Sequence, residues 1–505
     1  MIVFLFENRW EIISAGWLWL GTALHLVAFC LIVFDSLMNR KEIASTLLWI
    51  FLAWSFPVVG PILYLSFGVD RVPVKGWRKR QSNQRLMNVR EADREDAAMP
   101  MAYWHAIRRS LAVVPDTPLA RETHAAMNSI IEDFPLLSGN RADPLLSGDE
   151  AFPAMLEAIA SAKHHIHLQT FILGNDAVGR MFLDALKAKA EAGVRVRFLY
   201  DRFGCTHAIF AGLFRRYARV PNMELAGWTQ VNPIKRRFQV NLRNHRKLLV
   251  VDGRLAFVGG INLRGENVTR AGRAPIRDYH FRIEGPAVQE LQYVFLRDWY
   301  FATEADPETL LVRDHFPGIE PVGSALIRIV NGGPESEEEV MTDVLFAAVT
   351  AARKTLLAVT PYFVPTRDFV RALRSAALRG VDTRLIVPAR NNHVFVGLAG
   401  RALYDSLLSA GVRVFERPPP FLHGKALIVD DALAIVGTAN LDARSLRLNY
   451  ETNVVVYDAD FIDRLKRMIL DDVAASVELD LAVWRRRPLR RQLIENFCYL
   501  LAPIL

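Results

Sequence analysis

The residues best suited to chemistry fall into two copies of one short pattern. Each copy reads His-x-Lys-x4-Asp, and the members are His245, Lys247 and Asp252 in the first copy and His423, Lys425 and Asp430 in the second. A lone His-x-Lys pair carries little information, because such pairs are frequent in unrelated sequences. Two copies with the same long spacing predict a single site to which both contribute.

Each copy is predicted to form a β-hairpin. Apolar stretches flank Asp252-Gly253 and Asp430-Asp431, and a two-residue Asp-Gly connection is a strong hairpin signal. Residues two apart on a strand point to the same side, so each His shares a face with its Lys. Each Asp then lies in the turn. We interpret it as holding the turn through local backbone hydrogen bonds, with a direct catalytic role as the alternative.

If the two copies face each other, they form a pocket that suits a phosphodiester. Small and amide residues follow each hairpin and are predicted to support the phosphate: Gly260, Asn262, Thr438 and Asn440. Ammonium and amide groups hold phosphate oxygens and stabilise the charge of the transition state. One imidazole would attack phosphorus, and the other would protonate the leaving alkoxide and later deprotonate the incoming alcohol. This chemistry requires no metal or other cofactor.

A twofold repeat of strand, helix and strand is predicted to position the motifs. The predicted elements are a helix at Ala151–Ala162, a strand at His165–Ile172, a helix at Asp176–Glu191 and a strand at Val194–Tyr200, then a strand at Leu356–Tyr362, a helix at Arg367–Leu378 and a strand at Thr383–Val387. Gly193 and Gly380 end the helices. This order predicts an α/β fold with partly parallel sheets and two pseudo-symmetric halves, whose motifs meet at the interface.

Composition narrows the class of partner. The chain has 505 residues, a net charge of +8 and 51% hydrophobic residues. The positive charge favours an anionic partner, either nucleic acid or an anionic membrane. The three cysteines are too few and too scattered for a disulfide framework or a metal cluster.

Two apolar runs near the N-terminus favour the membrane. Ile12–Phe34 and Ile43–Phe67 contain no Asp, Glu, Lys or Arg, and each exceeds the roughly 20 residues that cross a hydrocarbon core. We predict two transmembrane helices. A cleaved signal peptide is the alternative for the first run, and a buried core helix for the second. Basic residues without an acid run from Arg71 to Arg90, which predicts that residues 71 onward are cytoplasmic.

Three basic stretches are candidates for contact with lipid headgroups or the membrane surface. They are the run from Arg71 to Arg90, the loop residues Lys235, Arg236 and Arg237, and the tail residues Arg485, Arg486 and Arg487. An apolar tail, Phe497–Leu505, follows the last of them and is predicted to dock at the interface. A solvated or packed segment is the alternative in each case. Residues 91–145 are predicted to be a helical and irregular connector.

At its doubled motif the chain resembles the phospholipase D superfamily. Within it, the chain is most similar to the bacterial cardiolipin synthase family, on the two N-terminal runs and on three motif stretches: Arg243–Lys247, Thr360–Pro365 and Gly437–Ser445. The resemblance implies two α/β/α halves with central mixed β-sheets. It also implies phosphatidyl transfer between two phosphatidylglycerol molecules, giving cardiolipin and glycerol through a phosphohistidine.

The resemblance further implies roles for single residues. His245 is expected to be the nucleophile and His423 the acid/base, with the reverse as the alternative. Asp278 and Glu451 follow the two motifs at comparable distances, so each is a candidate to accept an imidazole N–H and fix its tautomer. A surface or structural carboxylate is the alternative for both.

The expected organisation has five parts. They are two transmembrane helices in residues 1–70, a basic juxtamembrane and connector segment in 71–130, two phospholipase D-like halves in 131–315 and 316–480, and a basic and apolar membrane-proximal tail in 481–505. We expect a multi-pass protein of the bacterial inner membrane with an anionic phospholipid substrate, no nucleic-acid partner and an oligomer as an open possibility.

Three other functions remain in view. A membrane-bound phospholipase D hydrolase would keep every motif and release phosphatidic acid. A nuclease would also use the doubled motif, but the apolar runs and the lack of aromatic residues among the basic stretches count against it. A non-enzymatic lipid-binding protein is the remote alternative, because both motifs are intact.

Overall fold

The structure is a computed structural model that describes residues 9–38, 43–65, 72–96, 114–131, 133–228, 242–270, 272–334 and 339–502. The chain divides into two compact units, Met1–Val74 and Lys75–Leu505. The N-terminal unit is helical, and the second unit carries the sheet and both motifs.

The N-terminal unit contains one described helix that is long and apolar enough to cross a membrane. Helix α1 spans Arg9–Met38, and its segment Trp19–Met38 meets the length and composition of a membrane span. The second apolar run is divided at Pro57, whose ring removes a backbone donor. Its two helices are α2 (Ile43–Ser55) and α3 (Val59–Leu63). The second transmembrane helix is therefore not confirmed.

Helices α1, α2 and α3, the segments of this unit described above, pack together through a small core. Ile32, Ala53 and Tyr64, one from each segment, are buried against one another. The Tyr64 hydroxyl donates to Asp35 and accepts a 3.0 Å hydrogen bond from Ser36. These contacts join the end of α1 to the chain beyond α3.

One mixed sheet of 15 strands forms the frame of the second unit. Its order is β17-β12-β11-β9-β13-β14-β16-β8-β1-β7-β6-β5-β2-β3-β4. The strands before the midpoint of the chain are β1 (Leu137–Leu146), β2 (His165–Thr170), β3 (Arg195–Asp201), β4 (Met223–Trp228), β5 (Leu248–Val251), β6 (Leu255–Gly259) and β7 (Tyr279–Glu284). The later ones are β8 (Ala325–Gly332), β9 (Thr355–Val359), β11 (Asp382–Pro388), β12 (Arg413–Arg417), β13 (Ala426–Val429), β14 (Leu433–Gly437), β16 (Glu451–Tyr457) and β17 (Val477–Glu478). A separate two-stranded ribbon joins β10 (Phe363–Val364) to β15 (Leu441–Asp442).

Helices cover this sheet. Those of the first half and its approach are α4 (Val72–Asp96), α5 (Pro118–Ile130), α6 (Ser147–Ser161), α7 (Ala177–Glu191), α8 (Thr206–Phe210), α9 (Ala287–Thr303) and α10 (Pro307–Leu310). The others are α11 (Val340–Ala351), α12 (Arg367–Leu378), α13 (Val394–Arg401), α14 (Tyr404–Ser409), α15 (Ala443–Arg447), α16 (Ala459–Ala474), α17 (Leu481–Arg485) and α18 (Leu489–Leu500).

The strand order is nearly symmetrical about the β1–β8 pair at the centre. On each side the same sequence of pairings recurs, and the motif hairpins are β5–β6 and β13–β14. Strand β1 pairs antiparallel with both β7 and β8. The two halves therefore share one continuous sheet, which corrects the expectation of separate central sheets.

Strand β1 is also a correction, because it lies in the stretch predicted to be an irregular connector up to residue 145. Its segment contains Asn140, Arg141, Asp143 and Pro144, so it lacks the apolar alternation that identifies a strand. Pairing with a neighbour on each side supplies the backbone hydrogen bonds that the pattern does not predict. Tertiary structure overrides local propensity here.

The predicted strand–helix–strand units are confirmed with small shifts at their ends. Helix α12 has the predicted bounds, and α7 begins one residue later because Asp176 caps it by accepting from the Gly179 N–H. Gly193 and Gly380 follow the two helices at φ +94° and +87°, a conformation that favours glycine. Strands β2 and β3 are parallel, as are β9 and β11.

Helix α4 is only partly the basic surface segment that the sequence predicted. Lys79 is buried and forms an ion pair with Asp298 at 3.1 Å, and Arg90 forms one with Glu290 at 3.1 Å. A buried charge needs such a partner to offset its lost hydration. These two residues belong to the interior of the second unit, while Arg78 and Arg85 are exposed.

Candidate active site

The two motif histidines lie at the same edge of the sheet, where β5 and β13 begin. Strand β5 runs antiparallel to β2, and β13 runs antiparallel to β9, so each histidine lies beside the carboxyl end of the neighbouring strand. His245 donates its backbone N–H to the Tyr450 carbonyl at 2.9 Å, and His423 donates to the Arg277 carbonyl at 2.7 Å. Each histidine is thus held by backbone of the opposite half.

Each imidazole is also paired with a carboxylate from the opposite half. His245 Nδ1 lies 2.9 and 3.0 Å from the Glu451 oxygens, and His423 Nδ1 lies 2.6 Å from Asp278 Oδ2. An ionised carboxylate only accepts, so Nδ1 carries the proton in both pairs and Nε2 keeps its lone pair. The two pairs are crossed, which the sequence did not reveal.

The small residues after each hairpin support these carboxylates. A side chain at Gly260 would place its Cβ 2.1 Å from Asp278 Oδ1, so glycine makes room for the carboxylate. At the equivalent position, the Thr438 hydroxyl donates to Glu451 Oε2 at 2.6 Å. Gly260 and Thr438 therefore both hold a carboxylate in place. Gly260 leaves room for Asp278, and Thr438 donates a hydrogen bond to Glu451.

The two lysines are buried beside the imidazoles. Lys247 Nζ donates to the His245 carbonyl at 2.6 Å, and Lys425 Nζ lies 2.9 Å from His423 Nδ1. Both side chains are at most 3% exposed. Burial lowers the pKa of Lys247 to about 7 and that of Lys425 to about 8, although the carboxylates of the site oppose the shift.

Burial also keeps both imidazoles neutral at neutral pH. It lowers the pKa of His423 to about 3, with Lys425 adding to the shift and Asp278 opposing it. The pKa of His245 is lowered by burial as well, against the opposing effect of Glu451. Burial acts to raise the pKa of Glu451, but His245 and Lys247 outweigh it, so that the pKa is lowered and the carboxylate is ionised. A neutral imidazole with a free Nε2 is the form that attacks phosphorus.

The two motif aspartates lie in their turns, at the far end of the hairpin strands from the histidines. Asp252 and Asp430 both have φ +51°. Asp252 accepts from the N–H groups of residues 163–165, and Asp430 from those of residues 353–355, at 2.7 to 2.8 Å. These donors lie at the start of the neighbouring strand, not in the local turn backbone. The contacts support a structural role rather than proton transfer.

The two motif asparagines are buried near the site but make different contacts. Asn262 Oδ1 accepts from the Ile172 N–H at 3.1 Å. Asn440 Nδ2 donates to Ser445 Oγ at 3.0 Å, while its Oδ1 has no hydrogen-bond partner among the described residues. The Asn262 oxygen is therefore occupied by backbone, whereas in Asn440 the Nδ2 donor is engaged and the buried atom without a partner is an acceptor oxygen.

Comparison with known proteins identifies the family. The sequence profile described as "Cardiolipin synthase, PLD-like domain" matches residues 155–299 and 345–472, which include both motifs, both crossed carboxylates and most of the sheet. A second profile, "Phospholipase_D-nuclease N-terminal", matches residues 23–68. The chain belongs to the cardiolipin synthase family. The predicted resemblance to the phospholipase D superfamily is thereby confirmed.

Relatives in this family match along nearly the whole chain. The chain is 34% identical to the cardiolipin synthase of Geobacillus kaustophilus over 96% of its own length and 95% of that protein. It is 32% identical to cardiolipin synthase 1 of Bacillus anthracis over 97% of its length and 94% of that protein. A solved structure, the phosphatidylserine synthase of Haemophilus influenzae, shares the fold with a TM-score of 0.60 at 16% identity, over 76% of this chain and 100% of that one.

In this member of the cardiolipin synthase family, a buried aspartate that the motif spacing does not predict organises the first histidine. Asp298 Oδ2 accepts from Asn244 at 2.8 Å and from Arg246 at 2.5 Å, the two neighbours of His245. Its other oxygen faces Lys79 at 3.1 Å. Burial acts to raise the pKa of Asp298, but Arg246 and Lys79 outweigh it and lower that pKa strongly. No sequence signal connected this helix residue to the motif.

The second half has a counterpart at the end of α16. Asp472 forms an ion pair with Arg277 at 2.7 Å and accepts from the Tyr279 hydroxyl. These residues flank Asp278, the partner of His423. Each half therefore uses a buried helix aspartate to fix the chain on both sides of one member of a crossed pair.

The residue between His and Lys is Arg246 in the first motif and Gly424 in the second. The residue that each one faces in the opposite half differs in size to match. Arg246 donates to Thr452 Oγ1 at 2.9 Å. At the equivalent place Gly424 faces the ring of Tyr279, where an added Cβ would lie 2.6 Å from ring carbons. In the first pair the large Arg246 faces the small Thr452, and in the second the small Gly424 faces the large Tyr279.

The predicted basic contacts divide into three groups. Lys235, Arg236 and Arg237 lie outside the described residues. Two tail residues are engaged by the protein: Arg485 pairs with Asp405 at 2.9 Å, and Arg487 lies 3.4 Å above the Trp484 ring. The remaining one, Arg486, is exposed.

The turn aspartates provide a test of structure against chemistry. Asp252→Asn and Asp430→Asn remove a charged acceptor while keeping a residue that tolerates positive φ. We expect each to lower the free energy of unfolding by about 1–3 kcal/mol, since charge-assisted hydrogen bonds are lost. The rate constant kcat per folded molecule stays within about twofold in this prediction. Thermal unfolding in detergent and active-site titration measure the two effects, and a large loss of kcat without destabilisation would contradict the assignment.

The lowered lysine pKa values predict the pH dependence. An ammonium group with a lowered pKa loses its charge as pH rises through that value, here about 7 for Lys247 and about 8 for Lys425. Phosphate binding by the free enzyme then weakens by about tenfold for each pH unit above the pKa. We expect kcat/KM to fall between pH 7 and 9, as measured by initial rates at low substrate. A flat profile up to pH 9.5 would contradict this.

Proposed function

We propose that the protein synthesises cardiolipin by transferring a phosphatidyl group from one phosphatidylglycerol to the glycerol hydroxyl of a second. The observation that carries the proposal is the pair of crossed imidazole–carboxylate contacts, flanked by two buried lysines, in a chain of the cardiolipin synthase family. Such a site binds a phosphodiester and offers one nucleophile and one acid/base. It supports a phosphatidyltransferase of the phospholipase D superfamily.

In the first step, His245 Nε2 attacks phosphorus while Glu451 accepts the Nδ1 proton in a hydrogen bond. The bond to the glycerol oxygen breaks, and His423 donates the proton that completes glycerol. In the second step, His423 takes the proton of the second lipid's hydroxyl, whose oxygen displaces His245 and forms cardiolipin. Lys247 and Lys425 hold the phosphate oxygens throughout.

The acid role of His423 depends on the anionic substrate. In the free site burial lowers its pKa to about 3, and the charges of Lys425 and Lys247 add to the shift. A bound phosphate offsets both ammonium charges and so favours the protonated imidazole. Bound substrate therefore raises the fraction of His423 that carries a proton to donate.

We also propose that both N-terminal apolar runs lie in the bacterial inner membrane and that the second unit is cytoplasmic. The support is the apolar α1, the apolar α2 and the excess of basic residues after residue 70. On this proposal, the two phospholipase D-like halves are residues 131–315 and 316–480. Asn262 and Asn440 contribute to phosphate binding.

Product analysis tests the reaction. Detergent-solubilised protein is incubated with labelled phosphatidylglycerol, and we expect cardiolipin and free glycerol in equal amounts. Phosphatidic acid as the only lipid product would replace the proposal with hydrolysis. His245→Ala should lower the rate by about 10³-fold or more, because the nucleophile is lost. Unchanged activity in a variant lacking both histidines would indicate a contaminant.

The crossed pairs allow the two histidines to be assigned. His423→Ala should slow both the formation and the breakdown of a phosphatidyl adduct, because the acid and the base are lost together, and mass spectrometry of the peptide should locate that adduct on His245. Glu451→Gln should slow formation of the adduct, while the matched variant Asp278→Asn should slow both its formation and its consumption, because His423 acts in both steps. An adduct on His423 in the His245→Ala variant would reverse the roles.

A further inference from the structure

Helix α18 turns apolar residues toward solvent and a charged residue toward the protein, the opposite of a typical surface helix. Its buried residues are Glu495 and Cys498, which face the protein. Its exposed apolar residues form a stripe at helical spacing: Leu489, Leu493, Ile494, Phe497 and Leu500, each more than half exposed. A surface helix of a globular protein normally turns its apolar stripe inward. The outward stripe therefore indicates a partner that is not part of this chain's described structure.

Ion pairs fix the rotation of this helix. Glu495 is fully buried and contacts Arg401 at 3.1 Å, Arg487 at 3.0 Å and Arg491 at 3.3 Å. Turning the apolar stripe inward would break the ion pairs of Glu495 with Arg401 and Arg487. The outward orientation is thus built into the packing.

The neighbouring helix extends the apolar surface toward the active site. Cys498 of α18 packs on Ala399 of α13. At the other end of α13, Val394 and Phe395 are 63% and 60% exposed. The residue before them, His393, has its ring 5.4 Å from Tyr362, whose ring lies 6.2 Å from that of His423.

The first half presents a smaller surface of the same kind at the equivalent position. Phe203 and Phe210 follow β3 as Val394 and Phe395 follow β11, and they are 60% and 87% exposed. Arg243, two residues before His245, lies 3.6 Å above the Phe203 ring. Exposed apolar side chains therefore adjoin the catalytic edge in both halves.

Charge identifies the partner. Arg486 and Arg490 are exposed beside the apolar stripe. An apolar stripe flanked by arginines is the pattern of a helix that lies in the interface of an anionic membrane. We propose that α18 and the start of α13 form a docking face for an anionic lipid bilayer, separate from the N-terminal helices.

The proposal deepens the proposed function and rests on it for its purpose. A diacyl lipid keeps its acyl chains in the bilayer while its headgroup enters the pocket. A docking face beside His423 holds the pocket at headgroup level, so both the donor and the acceptor lipid reach the site without leaving the membrane. The soluble part of the chain is then held at the bilayer by its own surface and not by the N-terminal anchor alone.

Site-specific crosslinking in the full-length protein tests the contact. Benzoylphenylalanine is introduced at position 497, and at position 378 as a matched control, since Leu378 is 71% exposed at the end of α12. In phosphatidylglycerol vesicles, irradiation should attach lipid at 497 and at most one tenth as much at 378. Equal labelling at both positions, no lipid at 497, or crosslinking of 497 to another protein chain would overturn the proposal. This outcome does not depend on activity.

A kinetic split tests the consequence. The double variant Leu493→Ser, Phe497→Ser should raise KM for vesicle phosphatidylglycerol at least tenfold, while its rate on monomeric short-chain phosphatidylglycerol stays within twofold of wild type. Leu378→Ser should match wild type on both substrates. An unchanged KM on vesicles would overturn the docking role. If the wild type forms no cardiolipin from either substrate, the proposed function fails, and the crosslink alone decides the docking face.

Discussion

The crossed pairing of imidazole and carboxylate is the interaction on which the site depends. His245 is oriented by Glu451 and His423 by Asp278, so each half supplies the imidazole of one pair and the carboxylate of the other. Because all four groups are buried, removing either partner leaves a desolvated polar group without compensation. The same contacts therefore hold the two halves together and orient both imidazoles. The helix aspartates Asp298 and Asp472 extend the same principle to the backbone around the pairs.

Much of this arrangement followed from sequence. The doubled motif predicted a composite site, and the periodicity of residues 176–191 and 367–378 predicted the helices beside it. The features that could not be predicted from the sequence are those without a local sequence pattern. Strand β1 lacks alternation and exists because two neighbouring strands pair with it. Asp298 lies on a helix far along the chain from His245, and only tertiary structure brings them together.

Charge alone was a weaker guide than spacing. The basic run after residue 70 predicted a surface for lipid headgroups, but Lys79 and Arg90 are paired in the interior. The tail arginines divide in the same way, since Arg487 stacks on Trp484 while Arg486 is exposed. A cation in a sequence can serve either an external anion or an internal carboxylate, and the partner is visible only in the folded chain.

The continuous sheet limits how the two halves can move relative to each other. Strand β1 pairs with β7 on one side and with β8 on the other, the latter with a register shift between Leu137 and Asn140, so backbone pairing connects the two halves. The halves cannot separate at the middle of the sheet without breaking the pairing of β1 with β8. The strands that lead from His245 and His423 belong to this one sheet, so the spacing of the two histidines at its edge is fixed by the frame. Any rearrangement of the site would then come from side chains and loops at this edge, and not from a movement of one half against the other.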